Sequence, residues 1–372
     1  MDEDWPLLVS FFPDRWGEMA ADSGALKGLR KDKSPESLLR TLLIHFGCGH
    51  SLRETVVRAR EAGIADLSDV ALLKRLRKSK DWLHALCVAL FRERGVALAE
   101  NGGFQMRAFD ATTVKEPGKT GGLWRIHYSV SLPSLNCDFF KLTETEGVGT
   151  GESFSQFAIQ EGDYILADRG YSTANGIHYA AANKAFVTVR VNTAVLPLKD
   201  ARGKDFDLLK AVKSVTKPGV SKAWSVKTYN KKRAFVKGRL CVIRKSREAI
   251  KLAQEKIIKE AIKKGRKTKP QTLEYAKYII LFTTFPEDEF SPSEILEWYR
   301  TRWQVELVFK RFKSLAQLGH LPKQDDESAK AWLYGKLFVA LIVEKLIEQA
   351  RSISPWGYLL EECKTPQCVE RV

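Results

Sequence analysis

The 372-residue sequence has no Cys-x-x-Cys pair, and its six cysteines (Cys48, Cys87, Cys137, Cys241, Cys363 and Cys368) are scattered. Its histidines do not fall at zinc-ligand spacings, so reduced, mostly buried thiols are expected rather than a zinc site or a disulfide framework. The longest apolar run, Leu337 to Val343, falls far short of the about 20 residues that a membrane-spanning helix needs. The opening Met1-Asp2-Glu3-Asp4-Trp5 lacks the basic start and apolar centre of a signal peptide. Internal repeats and low-complexity tracts are also missing. A soluble, cytoplasmic chain with no membrane partner is the expectation.

Acidic charge is scarce in one stretch only. Between Lys199 and Lys269 there are 24 Lys/Arg against 6 Asp/Glu, which leaves 37 basic and 39 acidic residues elsewhere. The whole formal excess of +16 therefore comes from that segment. Clustered cations gain by releasing counterions from phosphates, so a polyanion partner is expected. A solvated surface is the alternative, but such a surface is rarely so one-signed. The hydrophobic share of 44% is ordinary for a globular protein, and the length suits two or three domains.

Up to about Gly95 the pattern is helical. Ser34-Pro35 reads as an N-cap with proline at the first position, and Leu38, Leu39, Leu42, Leu43 and Phe46 follow at helical spacing. Ser51 opens a second helix reaching about Ala62, and Ser68 a third, Asp69 to Arg77, which carries Lys74, Arg75, Arg77 and Lys78. Short helices with a basic last member suit either a helix-turn-helix-like DNA reader or a bundle with a charged exterior. Trp82 to Phe91 reads as one more helix. After Asn101-Gly102-Gly103 the texture turns to strands: Phe104 to Val114, Trp124 to Leu132, Cys137 to Thr145, Tyr164 to Ala167 and Ala185 to Val191. Helices are predicted over Ser153 to Ile159 and Ala174 to Asn183. In the basic segment, strands are expected at Lys222 to Tyr229 and Arg239 to Arg244, and a lysine-rich helix at Glu248 to Lys264. Tyr278 to Phe285 returns to strand. Ser291-Pro292-Ser293-Glu294 is a complete helix start, for a helix to about Leu315, and Glu327 to Ala350 is the last helix.

On the helix after Ser291, Tyr299, Arg302, Glu306 and Lys313 are spaced by 3, 4 and 7 residues. At about 100° per residue they share a stripe roughly 60° wide. A phenol, a guanidinium, a carboxylate and an ammonium make a poor core face and a good phosphate-handling one, although a solvated Arg–Glu pair has the same spacing. Asp110 ends an alternating strand, and Asp168 follows an apolar one. Carboxylates at strand ends line active crevices, while a turn or helix cap is the plainer use of either residue. Carboxylates about 4 Å apart would repel by roughly 4 kcal/mol at an effective dielectric of 20, so divalent ions would complete such a site. Paired ions suit in-line phosphoryl displacement.

Tyr299-x2-Arg302-x3-Glu306-x6-Lys313 resembles the helix signature of the bacterial insertion-sequence-four family of DDE transposases. Asp110-Ala111-Thr112-Thr113 and Asp168-Arg169-Gly170-Tyr171 are similar to its two Asp motifs. The resemblance covers about residues 35 to 350. It implies a mixed α/β fold, with a ribonuclease H-like catalytic core interrupted by a β-rich insertion and preceded by a helical domain. Residues 1–100 would form the helical, DNA-binding domain and 101–191 the first part of the core. The basic insertion would take 192–285, the core helices with Glu306 286–350, and a tail 351–372. It further implies that Asp110, Asp168 and Glu306 bind two Mg²⁺ ions, with Mn²⁺ a possible substitute. Tyr299 and Arg302 would grip a phosphate, and Lys313 would position the strand. The partners implied are double-stranded DNA, as terminal inverted repeats and target, and a second copy of the chain, near the nucleoid of a bacterial cell. The activity implied is cleavage at transposon ends followed by strand transfer. A nuclease without strand transfer and a non-catalytic DNA-binding derivative are the competing readings. Lys231, Lys232 and Arg233 are further expected DNA contacts. Trp224 is a candidate to stack on a flipped base, with burial in the insertion the plainer reading. His127 suits either a place near the site or a structural hydrogen bond, and Arg169 and Tyr171 either DNA contact or turn shape.

Overall fold

The computed structural model describes residues 4–28, 34–100, 105–115, 123–132, 134–147, 149–315, 321 and 325–351. The Asn101-Gly102-Gly103 boundary and all but the first residue of the expected tail lie outside them. Helices α1 (Asp4–Val9), α2 (Trp16–Asp22), α3 (Pro35–Cys48), α4 (Leu52–Glu61), α5 (Asp69–Lys78) and α6 (Lys80–Glu100) come first. Strands β1 (Met106–Lys115), β2 (Leu123–Leu132), β3 (Cys137–Glu144) and β4 (Tyr164–Ala167) follow, then α7 (Ala174–Ala182) and β5 (Phe186–Arg190). Next come α8 (Leu208–Lys213), β6 (Ser221–Tyr229), β7 (Phe235–Arg244), α9 (Arg247–Lys263), α10 (Pro270–Tyr275) and β8 (Tyr278–Thr283). Helices α11 (Pro292–Thr301), α12 (Trp303–Leu315) and α13 (Asp326–Arg351) close the described chain. No described helix is long and apolar enough to cross a membrane.

Over the described residues the chain divides into two compact units, Met1–Arg94 with Lys115–Gly122 and Lys310–Val372, and Gly95–Val114 with Leu123–Phe309. In the first, α13 lies against α3 and α5, and α4 against both of those. Ser34, Ser51 and Ser68 each cap a helix by accepting a backbone N–H, as their positions in the sequence predict. Leu38, Leu39, Leu42 and Phe46 of α3 are buried together with Trp332 and Phe338 of α13. The two helices approach so closely that a Cβ at Gly335 would overlap the Phe46 ring. Two basic groups of α5 are used within this unit: Arg77 pairs with Asp325 at 3.0 Å and Lys78 donates to the Lys27 carbonyl at 3.0 Å.

In the second unit the described strands form one eight-stranded sheet, in the order β3-β2-β1-β4-β5-β8-β7-β6. β1 runs parallel to β4 and β4 to β5, whereas β2–β3 is antiparallel. The first five strands are thus ordered as a ribonuclease H-like core. The basic segment continues the same sheet: β8 adds antiparallel to β5, and the β6–β7 hairpin adds to β8. A core of Phe109, Ile165, Val187, Val189, Leu240, Phe282 and their neighbours runs beneath it, with Trp224 packed on its margin.

Between β3 and β4 the predicted helix is only a 3₁₀ turn, Phe154–Gln156. Its backbone is captured by side chains: the Ala158 carbonyl accepts from the Arg107 guanidinium at 3.0 Å, and the Gln160 N–H donates to Asp163 at 2.9 Å. Arg107 itself is buried, paired at 2.8 Å with both Asp138 and Asp163. That network ties β1 to β3 and to the entry of β4. Among the described cysteines Cys87, Cys137 and Cys241 are buried, Cys48 is exposed, and all four are free thiols.

Candidate active site

Parallel pairing of β1 with β4 sets Phe109 beside Ala167. Asp110, expected at a strand end, lies midway along β1, which runs on to Lys115, and stands level with Asp168 just past the end of β4. Adjacent strands run about 4.8 Å apart, which brings the two carboxylates together where β4 ends beside β1. One oxygen of Asp110 accepts from its neighbour's N–H, of Ala111, at 2.8 Å, and the other from the Tyr128 hydroxyl at 3.0 Å. Tyr128 is buried on β2 and stacks on Phe309 of α12 with ring centres 4.2 Å apart. Burial pushes the Asp110 carboxyl up to about 6; the Ala111 N–H, the Arg302 charge and Tyr128 oppose this, and the Asp168 charge adds to it.

Asp168 is the N-cap of a 3₁₀ turn, Arg169–Tyr171, and accepts from the Gly170 N–H at 2.7 Å. The cap and the strand-end carboxylate are therefore one residue in both uses that its sequence suggested. Glu152 lies beside this turn: a Cβ at Gly170 would overlap its carboxylate, and burial followed by the Asp168 charge raises its pKa. Tyr171 is fully buried, and its hydroxyl has no hydrogen-bond partner among the described residues.

The complete capping box predicted at Ser291 is present and starts α11. One continuous helix to Leu315 is not. The Thr301 hydroxyl donates to the Trp298 carbonyl at 2.7 Å, Arg302 N–H donates to Tyr299 at 3.2 Å, and Val305 N–H to Arg302 at 3.1 Å. These i to i−3 bonds tighten the turn at Arg302 and part α11 from α12. Tyr299 sits before the break and is pushed up to about 12, chiefly by burial. Arg302 stands at it, 5.9 Å from the Tyr299 ring centre, and its charge reaches Asp110. Glu306 lies one turn later, its side chain 58% exposed, and accepts from Arg302 at 2.5 Å. Lys313, half-buried, follows on α12.

Arg302 thus stands between Glu306 and the aspartates. Among the described residues no three Asp, Glu, His or Cys side chains gather closely enough to hold a metal ion. The fit to divalent ions is nevertheless good for the aspartates, which offer hard oxygens at one point, and burial, with a smaller part from the Asp168 charge, already disfavours an unaccompanied Asp110 carboxylate there. Glu306 fits only after it parts from Arg302.

Other predicted residues take separate places. His127 is buried on the face of β2 opposite Tyr128; it bonds Thr143 at 2.9 Å and is pushed down to about 4, mainly by burial. Strand alternation is the signal that would have singled out Tyr128 instead. Trp224 is half-buried, edge-on to Phe206 at 6.5 Å. Lys231, Lys232 and Arg233 are exposed at the β6–β7 turn, where Asn230 accepts from two backbone N–H groups and Arg233 takes φ 62°. Arg169 is exposed beside Asp168.

The described geometry accords with comparison to known proteins. Residues 103–342 match the family model described as a transposase DDE domain. The chain is 31% identical over 359 residues to the putative transposase InsL of insertion sequence element IS186A from Escherichia coli K12, covering 95% of this chain and 96% of that protein. It is likewise 31% identical over 361 residues to the transposase of element IS421 from Escherichia coli, with the same coverages. A shorter stretch of 95 residues, 25% of this chain and 20% of the other, is 31% identical to the transposase of IS1151 from Clostridium perfringens. A match over most of the chain to that domain, and over nearly its whole length to such relatives, means that this protein belongs to the DDE transposase family of bacterial insertion sequences.

Proposed function

We propose that the chain excises and inserts an insertion sequence by cutting DNA at the element's ends and joining the freed 3′-hydroxyls to target DNA. The observation that carries this reading is the side-by-side placement of Asp110 and Asp168, with Arg302 and Tyr299 against them. In cleavage, the oxygen of water bonds to phosphorus and the bond to the 3′-oxygen breaks, leaving a 3′-hydroxyl. In joining, that hydroxyl attacks a target phosphodiester and releases the target's own 3′-oxygen.

Asp110, Asp168 and Glu306 would hold two Mg²⁺ ions, or Mn²⁺ in their place. When bound, such ions activate the attacking oxygen and stabilise the leaving one. Tyr128 fixes the Asp110 carboxylate through its hydrogen bond. Arg302 and Tyr299 bind a phosphate near the cut; as Arg302 turns its donors to phosphate oxygens, Glu306 is released toward the aspartates. Lys313 positions the strand. Lys231, Lys232 and Arg233 and the lysines of α9 bind backbone phosphates, and the half-buried Trp224 stacks on an unpaired base. The helices of the first hundred residues grip the terminal repeat, with the exposed Lys74 of α5 as one contact. Two copies act on paired ends, in the bacterial cytoplasm at the nucleoid.

Asp110→Ala, Asp168→Ala and Glu306→Ala are each expected to abolish cutting of duplexes that carry the element's ends in Mg²⁺ while binding them nearly as the parent does. Normal cutting by any of the three would refute the assigned triad.

A further inference from the structure

A cavity of about 390 Å³ opens beside Asp168, between the ends of β5 and β7, strand β8 and helices α9, α10 and α11. Arg169, Arg190 and Lys245 line it, and Tyr299 and Arg302 form the wall shared with the candidate active site. We propose that this cavity is a phosphodiester site, in which Arg169, Arg190 and Lys245 seat the backbone phosphate of a DNA strand that continues past the cut. The proposal rests on the reading of the chain as a DNA-cutting enzyme and adds a contact that the Tyr299–Arg302 pair does not supply.

Three observations carry it. First, the cations converge from separate parts of the chain: Arg169 from the turn after β4, Arg190 from the end of β5, and Lys245 from the end of β7. Second, among the described residues none of the three forms an ion pair with an acid, although Asp168 and Glu260 also line the cavity. The Lys245 ammonium donates to the Ala276 carbonyl at 2.8 Å and, among the described residues, keeps its other donors for a ligand. Third, the cluster is held against its own repulsion. Burial, then the charges of Arg190 and Arg169, push Lys245 down to about 8. A folded chain does not gather like charges, with Arg190 and Lys245 half-buried, without a cost, and an anion seated among them removes it. The space exceeds a lone phosphate and admits the phosphate with its sugar. Asp168 on the lining ties the cavity to the carboxylates, so a strand seated there runs on to the reacting phosphorus.

The test uses the full chain in EDTA, so that binding is read apart from catalysis. The probe is a fluorescent mixed-sequence oligonucleotide, single-stranded and duplex. Arg190→Gln combined with Lys245→Met is expected to weaken binding about tenfold and to lower the slope of log K against log salt by about 0.7–0.9, one phosphate's share. Relief of repulsion should leave its thermal midpoint at or above the parent's. A second measurement needs no variant: acylation of Lys245 by an amine-selective ester, read by peptide mass spectrometry, should fall several-fold when the oligonucleotide is bound. Unchanged binding and slope in the variant, or undiminished labelling with oligonucleotide bound, overturns the proposal. Millimolar inorganic phosphate that shields Lys245 as fully as the strand does overturns the strand assignment. A parent chain that binds no oligonucleotide sinks the DNA-cutting reading along with the cavity, whereas loss of Lys245 shielding alone leaves that reading standing.

Discussion

Asp110 shows how a side chain that serves chemistry works against stability. Its carboxyl titrates near 6 in the folded chain, against an ordinary value of 3.8. The folded state therefore takes up this proton before the unfolded state does as pH falls. The group's cost is fully present above about pH 6 and is removed as pH falls toward 4. The shift corresponds to about 3 kcal/mol at neutral pH. Asn at this position stands in for the protonated carboxyl, with one oxygen left to accept, so the variant should gain about that amount at pH 7. Denaturant titrations of parent and Asp110→Asn should differ by that amount at pH 7 and converge by pH 4, while cleavage is lost. A constant difference across that range would show that the carboxyl is not held up. The comparison must be made between the two proteins, because His127 contributes with the opposite sign. It is held down to about 4 by burial, so the folded chain loses stability as pH falls below 6.5, in parent and variant alike.

At the scale of elements, the site depends on where two helices start and stop. Arg239 belongs by sequence to the basic segment, yet it is buried, and its guanidinium donates to the carbonyls of Phe285, Pro286 and Phe290 at 3.1, 3.2 and 2.8 Å. Those carbonyls lead straight into the Ser291 capping box, so one side chain of β7 fixes the start of α11 and hence the height of Tyr299 and Arg302. Arg239→Met would leave those carbonyls short of a donor, at a cost of about 3 kcal/mol. Hydrogen exchange of amides 285–295 should quicken and cutting should fall, with the salt dependence of DNA binding unchanged. A reduced salt slope would instead make Arg239 a phosphate contact. The sequence displayed the capping box, because its residues are local. It did not display Arg239, because a buried arginine and a surface one are the same letter until the fold chooses. The break at Arg302 was hidden for a related reason: Thr301 is tolerated in a helix and parts one only when its hydroxyl takes the carbonyl of Trp298.

For the whole molecule, legibility follows the range of the forces involved. Periodicity disclosed the strand that carries Asp110 and the one that delivers Asp168, and the fold sets those two strands side by side. The buried Arg107–Asp138–Asp163 network joins residues far apart in the chain and left no local pattern. Net charge is additive and needs no fold, so the basic segment was plain from composition. What the fold adds is which of those charges are free. Lys231, Lys232 and Arg233 stand exposed at a turn held by Asn230, and no acid among the described residues pairs with them. Removing them should therefore cost little stability and much phosphate affinity. Lys231→Gln, Lys232→Gln and Arg233→Gln together are expected to shift the unfolding free energy by no more than about 0.5 kcal/mol. If each cation meets one duplex phosphate, the slope of log K against log salt should fall by about 2.7, and by less in proportion as fewer of them reach the backbone. Parent and variant should then bind almost equally at high salt and diverge as salt is lowered, on random duplex as well as on the element's ends. A slope equal to the parent's would mean that this turn faces solvent in the DNA complex, and that the excess charge acts through α9 and the cavity beside Asp168 instead.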